Sequence, residues 1–180
     1  GFTILFLFWS ITMLAKKFVK KPEEMTTAQM IAVFGSGLVG SLAYAFSDTF
    51  WYSAVEGEVY AMSSCFTAIV FWAILKWESQ ADDTHNLRWL LLIAFLIGIS
   101  IGVHLLNLLA IPAVTYVYYF KKFPHVEKNK KKKFLLVGVI SMVLVAFILY
   151  FVVPYIVILA GKFEIFFTNS LNAPFNTGTI

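Results

Sequence analysis

The feature that most constrains this chain is a succession of apolar runs, each near the roughly 20 residues that a helix needs to cross the hydrocarbon core of a bilayer. They lie at Phe2 to Leu14, Ala28 to Phe46, Tyr60 to Leu75, Trp89 to Val103, Leu105 to Phe120 and Phe134 to Ala160. Backbone polar groups find no partner in lipid, so each run must close its hydrogen bonds internally. The expected fold class is all-α, a polytopic transmembrane helical bundle. Composition agrees: 60% of the 180 residues are hydrophobic and 13% are charged. Soluble domains are about half apolar and about a quarter charged.

The fourth and fifth runs join into one block of about 32 residues, which as a straight helix measures about 50 Å at about 1.5 Å per residue, too long for one crossing. The basic residues decide how it divides. Lys16, Lys17, Lys20 and Lys21 follow the first run, Lys76 and Arg88 flank the loop after the third, and Lys121, Lys122, Lys128 and Lys130 to Lys133 follow the block. If the block is a short hairpin turning near His104, all of these share one face, and only Lys162 of the fourteen basic residues lies on the other. Basic loops mark the cytoplasmic side. The expectation is therefore an integral, multi-pass protein with about six membrane helices, two of them the hairpin. Ser47 to Tyr60, the His104 turn and the tail after Ala160 are then all extracytoplasmic. Residues 1–160 form the transmembrane domain, with the extracytoplasmic segment 47–60. Residues 161–180 begin an extracytoplasmic loop, where Asn169, Asn172, Pro174, Asn176 and Gly178 replace aliphatic residues. The chain opens at Gly1 inside an apolar run and ends at Ile180, as expected of a piece of a longer protein.

Several patterns are set aside on physical grounds. Gly35, Gly37 and Gly40 spell a formal GxGxxG, but that motif binds dinucleotides only within a βαβ unit, which this chain lacks. Gly98 with Gly102 and Ser36 with Gly40 have the spacing of close helix packing. The sole cysteine, Cys65, excludes a disulfide framework. Asp82, Asp83 and His85 read as a solvated connector and not as a metal site, so no metal ligand is assigned. The run Lys128 to Lys133 resembles a nucleic-acid or anionic-lipid patch. Between two spans its simplest role is topological, with membrane lipid as partner and no nucleic acid.

One stretch stands out, Ser47 to Tyr60, reading SDTFWYSAVEGEVY. Asp48, Glu56 and Glu58 interrupt the apolar sequence with no lysine beside them, among Trp51, Tyr52 and Tyr60. Polar-tipped rings favour the headgroup level, and carboxylates there are costly unless paired or used. Continuous helical geometry places Tyr52, Glu56 and Tyr60 on one side and Trp51, Val55 and Glu58 on another. A carboxylate near a hydroxyl serves as general base or orienter, which makes Glu56 and Glu58 the candidate catalytic residues. Asp48, Trp51 and Tyr60 are candidates for substrate contact. His104 and Asn107, three residues apart at the hairpin turn, share a helix face, where a histidine can donate to phosphate oxygens of a headgroup.

The blocks TFWYSAVEGEVYAMSSCFTA (Thr49 to Ala68), WAILKWE (Trp72 to Glu78), GISIGVHLLNLLAIPA (Gly98 to Ala113) and LNAPFNTG (Leu171 to Gly178) resemble a membrane family labelled domain of unknown function 2723. That family is similar to the protein O-mannosyltransferases of the transmembrane protein 260 type, within the GT-C glycosyltransferases. The resemblance implies an enzyme that moves a mannose-like sugar from a polyprenyl-phosphate donor to a protein or other acceptor at the extracytoplasmic face. It implies Glu56 and Glu58 near acceptor or sugar and His104 near the carrier phosphate. It leaves a divalent metal undecided. It also implies a catalytic acid in a first extracytoplasmic loop that this chain, starting beyond that loop, is expected to lack. Two other classes are open: a transporter or lipid-handling protein with the same residues as a relay, and a non-catalytic membrane subunit of a larger complex. Transporters favour inverted repeats with mid-span acids, and no internal repeat is evident here.

Overall fold

A computed structural model describes residues 1–19, 22–56, 59–123 and 129–178. The elements are α1 (Phe2–Lys16), α2 (Thr27–Ala45), α3 (Asp48–Val55), α4 (Tyr60–Ser79), α5 (Leu87–Ile101), a 3-10 turn (Leu105–Leu109), α6 (Ala110–Lys122), α7 (Lys130–Phe147), a π segment (Ile148–Val152) and α8 (Val153–Ser170). Among the described residues there is no strand, and the all-α class holds. The helices group into two compact units, Gly1–Lys130 and Lys131–Ile180.

In the first unit α4 is the hub: it carries α1, α5, α6 and the 3-10 turn, while α2 packs on the far side of α1. Its inward face, Val70, Ala73, Ile74 and Trp77, meets Ala81 and Ile93 in a common core. Trp77 is fully buried and stacks on Tyr118 of α6 at 5.2 Å. One turn earlier, Trp72 gathers Phe6, Trp9 and Trp89 at 5.2 to 5.8 Å, tying α1 and α5 to α4. Between α1 and α2 the approach is closer. A Cβ on Gly37 would lie 2.5 Å from Thr12 Cγ2, and one on Gly40 would lie 2.8 Å from Ile11 Cδ1. Gly98 has open space around it, and Gly102 meets only the carbonyl of Ile99. Of the two pairs with packing spacing, only Gly40 is at a helix contact. The glycines of the formal GxGxxG all lie within α2.

α2 opens with a reciprocal cap, in which Gln29 N–H donates to Thr26 Oγ1 at 3.3 Å and Thr26 N–H to Gln29 Oε1 at 2.9 Å. Ion pairs gather at the other end of α4 from Tyr60. Lys17, after α1, pairs with Glu78, and Lys121, at the close of α6, pairs with Asp82 at 3.2 Å. The chain therefore reverses between α5 and α6, since α6 ends beside the loop that precedes α5. Asp82 is 92% exposed, as a solvated connector requires.

In the second unit α7, the π segment and α8 form one 40-residue helix from Lys131 to Ser170, about 60 Å long at about 1.5 Å per residue. Pro154 explains the π segment: it has no N–H to donate, and its ring crowds the carbonyl four residues back, so the helix widens there. Helix continues past Ala160 to Ser170. The chain then folds back on it. Among the described residues three helical segments are long and apolar enough to cross a membrane, α2, α4 and this long helix, while α1 and α5 are apolar but shorter. The count of six crossings rests on the basic-residue pattern.

Candidate functional site

The stretch 47–60 forms two pieces. Ser47 caps α3 by accepting the Phe50 N–H at 3.4 Å, and Asp48 sits in the first turn, where the helix dipole favours a carboxylate. The helix ends at Val55, and Glu56 is extended, with φ −62° and ψ 132°. Gly57 lies outside the described residues, and α4 starts at Tyr60. The single helical phase expected across Trp51 to Tyr60 is thus broken, and Glu56 cannot be placed relative to Tyr60 by 100° steps. Asp48, Trp51 and Glu56 are exposed. Glu58 lies outside the described residues.

α1, α2, α3 and α4 line an open cleft of about 590 Å³. Towards its α3 end the wall carries Tyr44, Ser53, Tyr60, Ser63 and Thr67. Further along α1 it becomes Ile11 and Leu14, facing Ala68 and Phe71 of α4. The hydroxyls come from α2, α3 and α4 and converge on one end of the cleft. The gradient from hydroxyl to hydrocarbon suits an amphiphile.

The hairpin turn contacts residues that line this cleft. His104 donates its backbone N–H to Ser100 O at 2.8 Å, and its ring centre lies 5.5 Å from that of Tyr60, a cleft residue. Asn107 is buried, and its Oδ1 accepts from Ser63 Oγ at 3.3 Å and from Thr67 Oγ1. Tyr60, His104 and Asn107 therefore come together across α4 and the turn. Asp48, Trp51 and Glu56 stay on exposed α3 and its end. Among the described residues no three of His, Cys, Asp and Glu gather as a metal site.

Sequence reasoning passed over Ser53, Ser63 and Thr67. The available signal was Ser63 and Thr67, four residues apart on one helix face. Serines and threonines in apolar helices ordinarily bond to the preceding turn, as Thr67 also does with Ser63 O at 3.1 Å. It also passed over Glu164 of α8, which accepts from the backbone N–H of Asn176 at 2.5 Å and of Gly178 at 3.0 Å.

Spanning-length apolar helices and a hydroxyl-walled cleft define the class: an all-helical membrane protein. Residues 1–127 match the family described as Protein O-mannosyl-transferase TMEM260 N-terminal domain, and the chain belongs to that family. The matched region coincides closely with the first compact unit. No curated protein and no solved structure matches the chain.

Proposed function

We propose that this chain holds a lipid-linked sugar donor for transfer of a mannose-like residue to a hydroxyl acceptor, with polyprenyl phosphate as leaving group. The observation that carries the reading is the graded cleft: it offers hydroxyls for a polar head and aliphatic wall for a hydrocarbon chain, in a member of an O-mannosyltransferase family. The fold is of the GT-C type, and the reaction takes place on the extracytoplasmic side, the face given to 47–60 by the basic residues. The acceptor is a protein hydroxyl.

In the reaction the acceptor oxygen attacks the anomeric carbon, a new C–O bond forms, and the bond from that carbon to the phosphate oxygen breaks. A carboxylate takes the acceptor proton, and hydrogen-bond donors meet the charge gathering on the departing phosphate. Glu56 and Glu58 orient sugar or acceptor, with Asp48 and Trp51 of α3 and Tyr60 of the cleft wall contributing to the same binding region. His104, beside Tyr60, faces the phosphate end of the donor.

The test is transfer of labelled sugar from polyprenyl-phosphate mannose, and from other polyprenyl-phosphate sugars, by the full-length protein and its Glu58→Gln and His104→Ala variants. Transfer by the parent that falls at least about a hundredfold in each variant, the range for losing a positioning group or a donor to the leaving phosphate, supports the reading. A folded full-length protein inactive with every donor sinks it and favours a transporter or a non-catalytic subunit.

A further inference from the structure

Asn107 does not line the cleft, yet it holds two residues that do. It is 3% exposed, and its Nδ2 has no acceptor among the described residues. An enclosed amide with an unmet N–H inside an apolar bundle opposes stability, so its value lies in what its other end does. That end is Oδ1, which receives both hydroxyls.

A serine or threonine hydroxyl has one proton to give. The Ser63 proton goes to Asn107 Oδ1 at 3.3 Å. The Thr67 proton has two acceptors, Asn107 Oδ1 and the Ser63 carbonyl at 3.1 Å, both within the protein. Each oxygen is left with lone pairs for whatever occupies the cleft. Phosphate oxygens, which are acceptors, meet repulsion at such a wall, whereas sugar hydroxyls donate to it.

We propose that Asn107 is a positioning residue that turns the Ser63 and Thr67 protons away from the cleft, making this wall a subsite for the hydroxyls of a glycosyl group and not for phosphate. The identity of the occupant rests on the lipid-linked sugar reading, and the polarity of the wall does not. The phosphate end of a donor then lies away from Ser63 and Thr67.

The experiment uses the full-length protein in nanodiscs with two probes, octyl mannoside and octyl phosphate, each with a photoreactive group in the alkyl chain. Half-saturation of labelling is read on the peptide covering Ser53 to Phe71. Octyl mannoside is expected to label at the lower concentration. Ser63→Ala, Thr67→Val and Asn107→Leu should each raise its half-saturation about tenfold, the effect of one hydrogen bond, and Asn107→Leu, which frees both hydroxyl protons to face the cleft, should lower that of octyl phosphate. Asn107→Asp, which keeps an acceptor oxygen, should stay within about threefold of the parent, and Thr67→Val added to Asn107→Leu should cost little more, because both act through one contact. Preferential labelling by octyl phosphate overturns the proposal, because it means that the amide points the other way and the hydroxyl protons face the cleft. So does mannoside labelling that Ser63→Ala and Thr67→Val, both on the cleft wall, leave unchanged. The expected labelling without any sugar transfer overturns the transferase reading alone.

Discussion

Gly37 and Gly35 are two residues apart on the same helix and face opposite demands. A Cβ at Gly37 meets Thr12 at 2.5 Å and Phe8 at 3.0 Å, whereas one at Gly35 meets nothing within 4 Å. Gly37→Val should therefore force α1 and α2 apart and cost about 1 to 3 kcal/mol, as overpacking does. Gly35→Ala should be neutral or stabilise by up to about 1 kcal/mol through helix propensity. Denaturant unfolding of the two variants checks this, and equal losses would contradict the close approach. The formal GxGxxG spacing could not rank these glycines, because it says nothing of which face meets a neighbour. The polar residues show the same limit. Tyr60, His104 and Asn107 were legible as uncommon polar groups in apolar surroundings, and the structure brings them together. Ser63 and Thr67 were not, because a hydroxyl that bonds to its own helix looks the same in sequence as one aimed at a ligand.

At the scale of elements, apolar length located α1, α2, α4 and α5 to within about four residues, since the bilayer sets that length physically. It did not locate their breaks. The end of α3 at Val55 and the π segment before Pro154 are decided by a few local backbone preferences inside otherwise apolar or aromatic sequence. The polar composition after Ala160 suggested a loop, yet helix persists to Ser170, because the residues Gly161 to Ser170 include no proline to stop it. Beyond it, Asn172 and Asn176 adopt φ of 50° and 70°, values that asparagine tolerates. The turn lies so close to α8 that a Cβ on Gly178 would be 2.5 Å from the Phe163 carbonyl oxygen. Backbone cannot yield as a side chain can, so Gly178→Ala should detach this turn. Glu164→Ala should loosen it by removing a charged acceptor. In each variant, amide exchange at Asn176 should accelerate about tenfold or more, the effect of losing a hydrogen bond to a charged group. Unchanged exchange in Glu164→Ala would show that the carboxylate does not hold the turn.

For the whole molecule, the informative fact is how charge is distributed over the first unit. Lys17, Glu78, Asp82 and Lys121 meet at one end of α4, while Tyr60 and His104 meet at the other. Over 20 residues α4 spans about 30 Å at about 1.5 Å per residue, the thickness of a hydrocarbon core. The ion pairs themselves add little stability, because exposed pairs contribute about 1 kcal/mol or less. They do mark which loops share a face. Single cysteines placed at Asp48, His85 and Lys122 of the full-length protein, with Cys65 replaced by Ser, should divide accordingly under a membrane-impermeant thiol reagent. His85→Cys and Lys122→Cys should react from one side and Asp48→Cys from the other, with the first pair cytoplasmic by the excess of basic residues. Asp48→Cys reacting with the other two would mean that α4 does not cross. Reaction of His85→Cys and Lys122→Cys from opposite sides would mean that the block from Trp89 to Phe120 passes through once, which the Asp82–Lys121 pair forbids within a single folded unit. The side on which Asp48→Cys reacts also bears on the chemistry, since α3 and the cleft lie at that end of α4. A cytoplasmic Asp48 would move the cleft's hydroxyl wall to the cytoplasmic face, and a transferase acting on protein hydroxyls outside the cytoplasm would then have to work elsewhere.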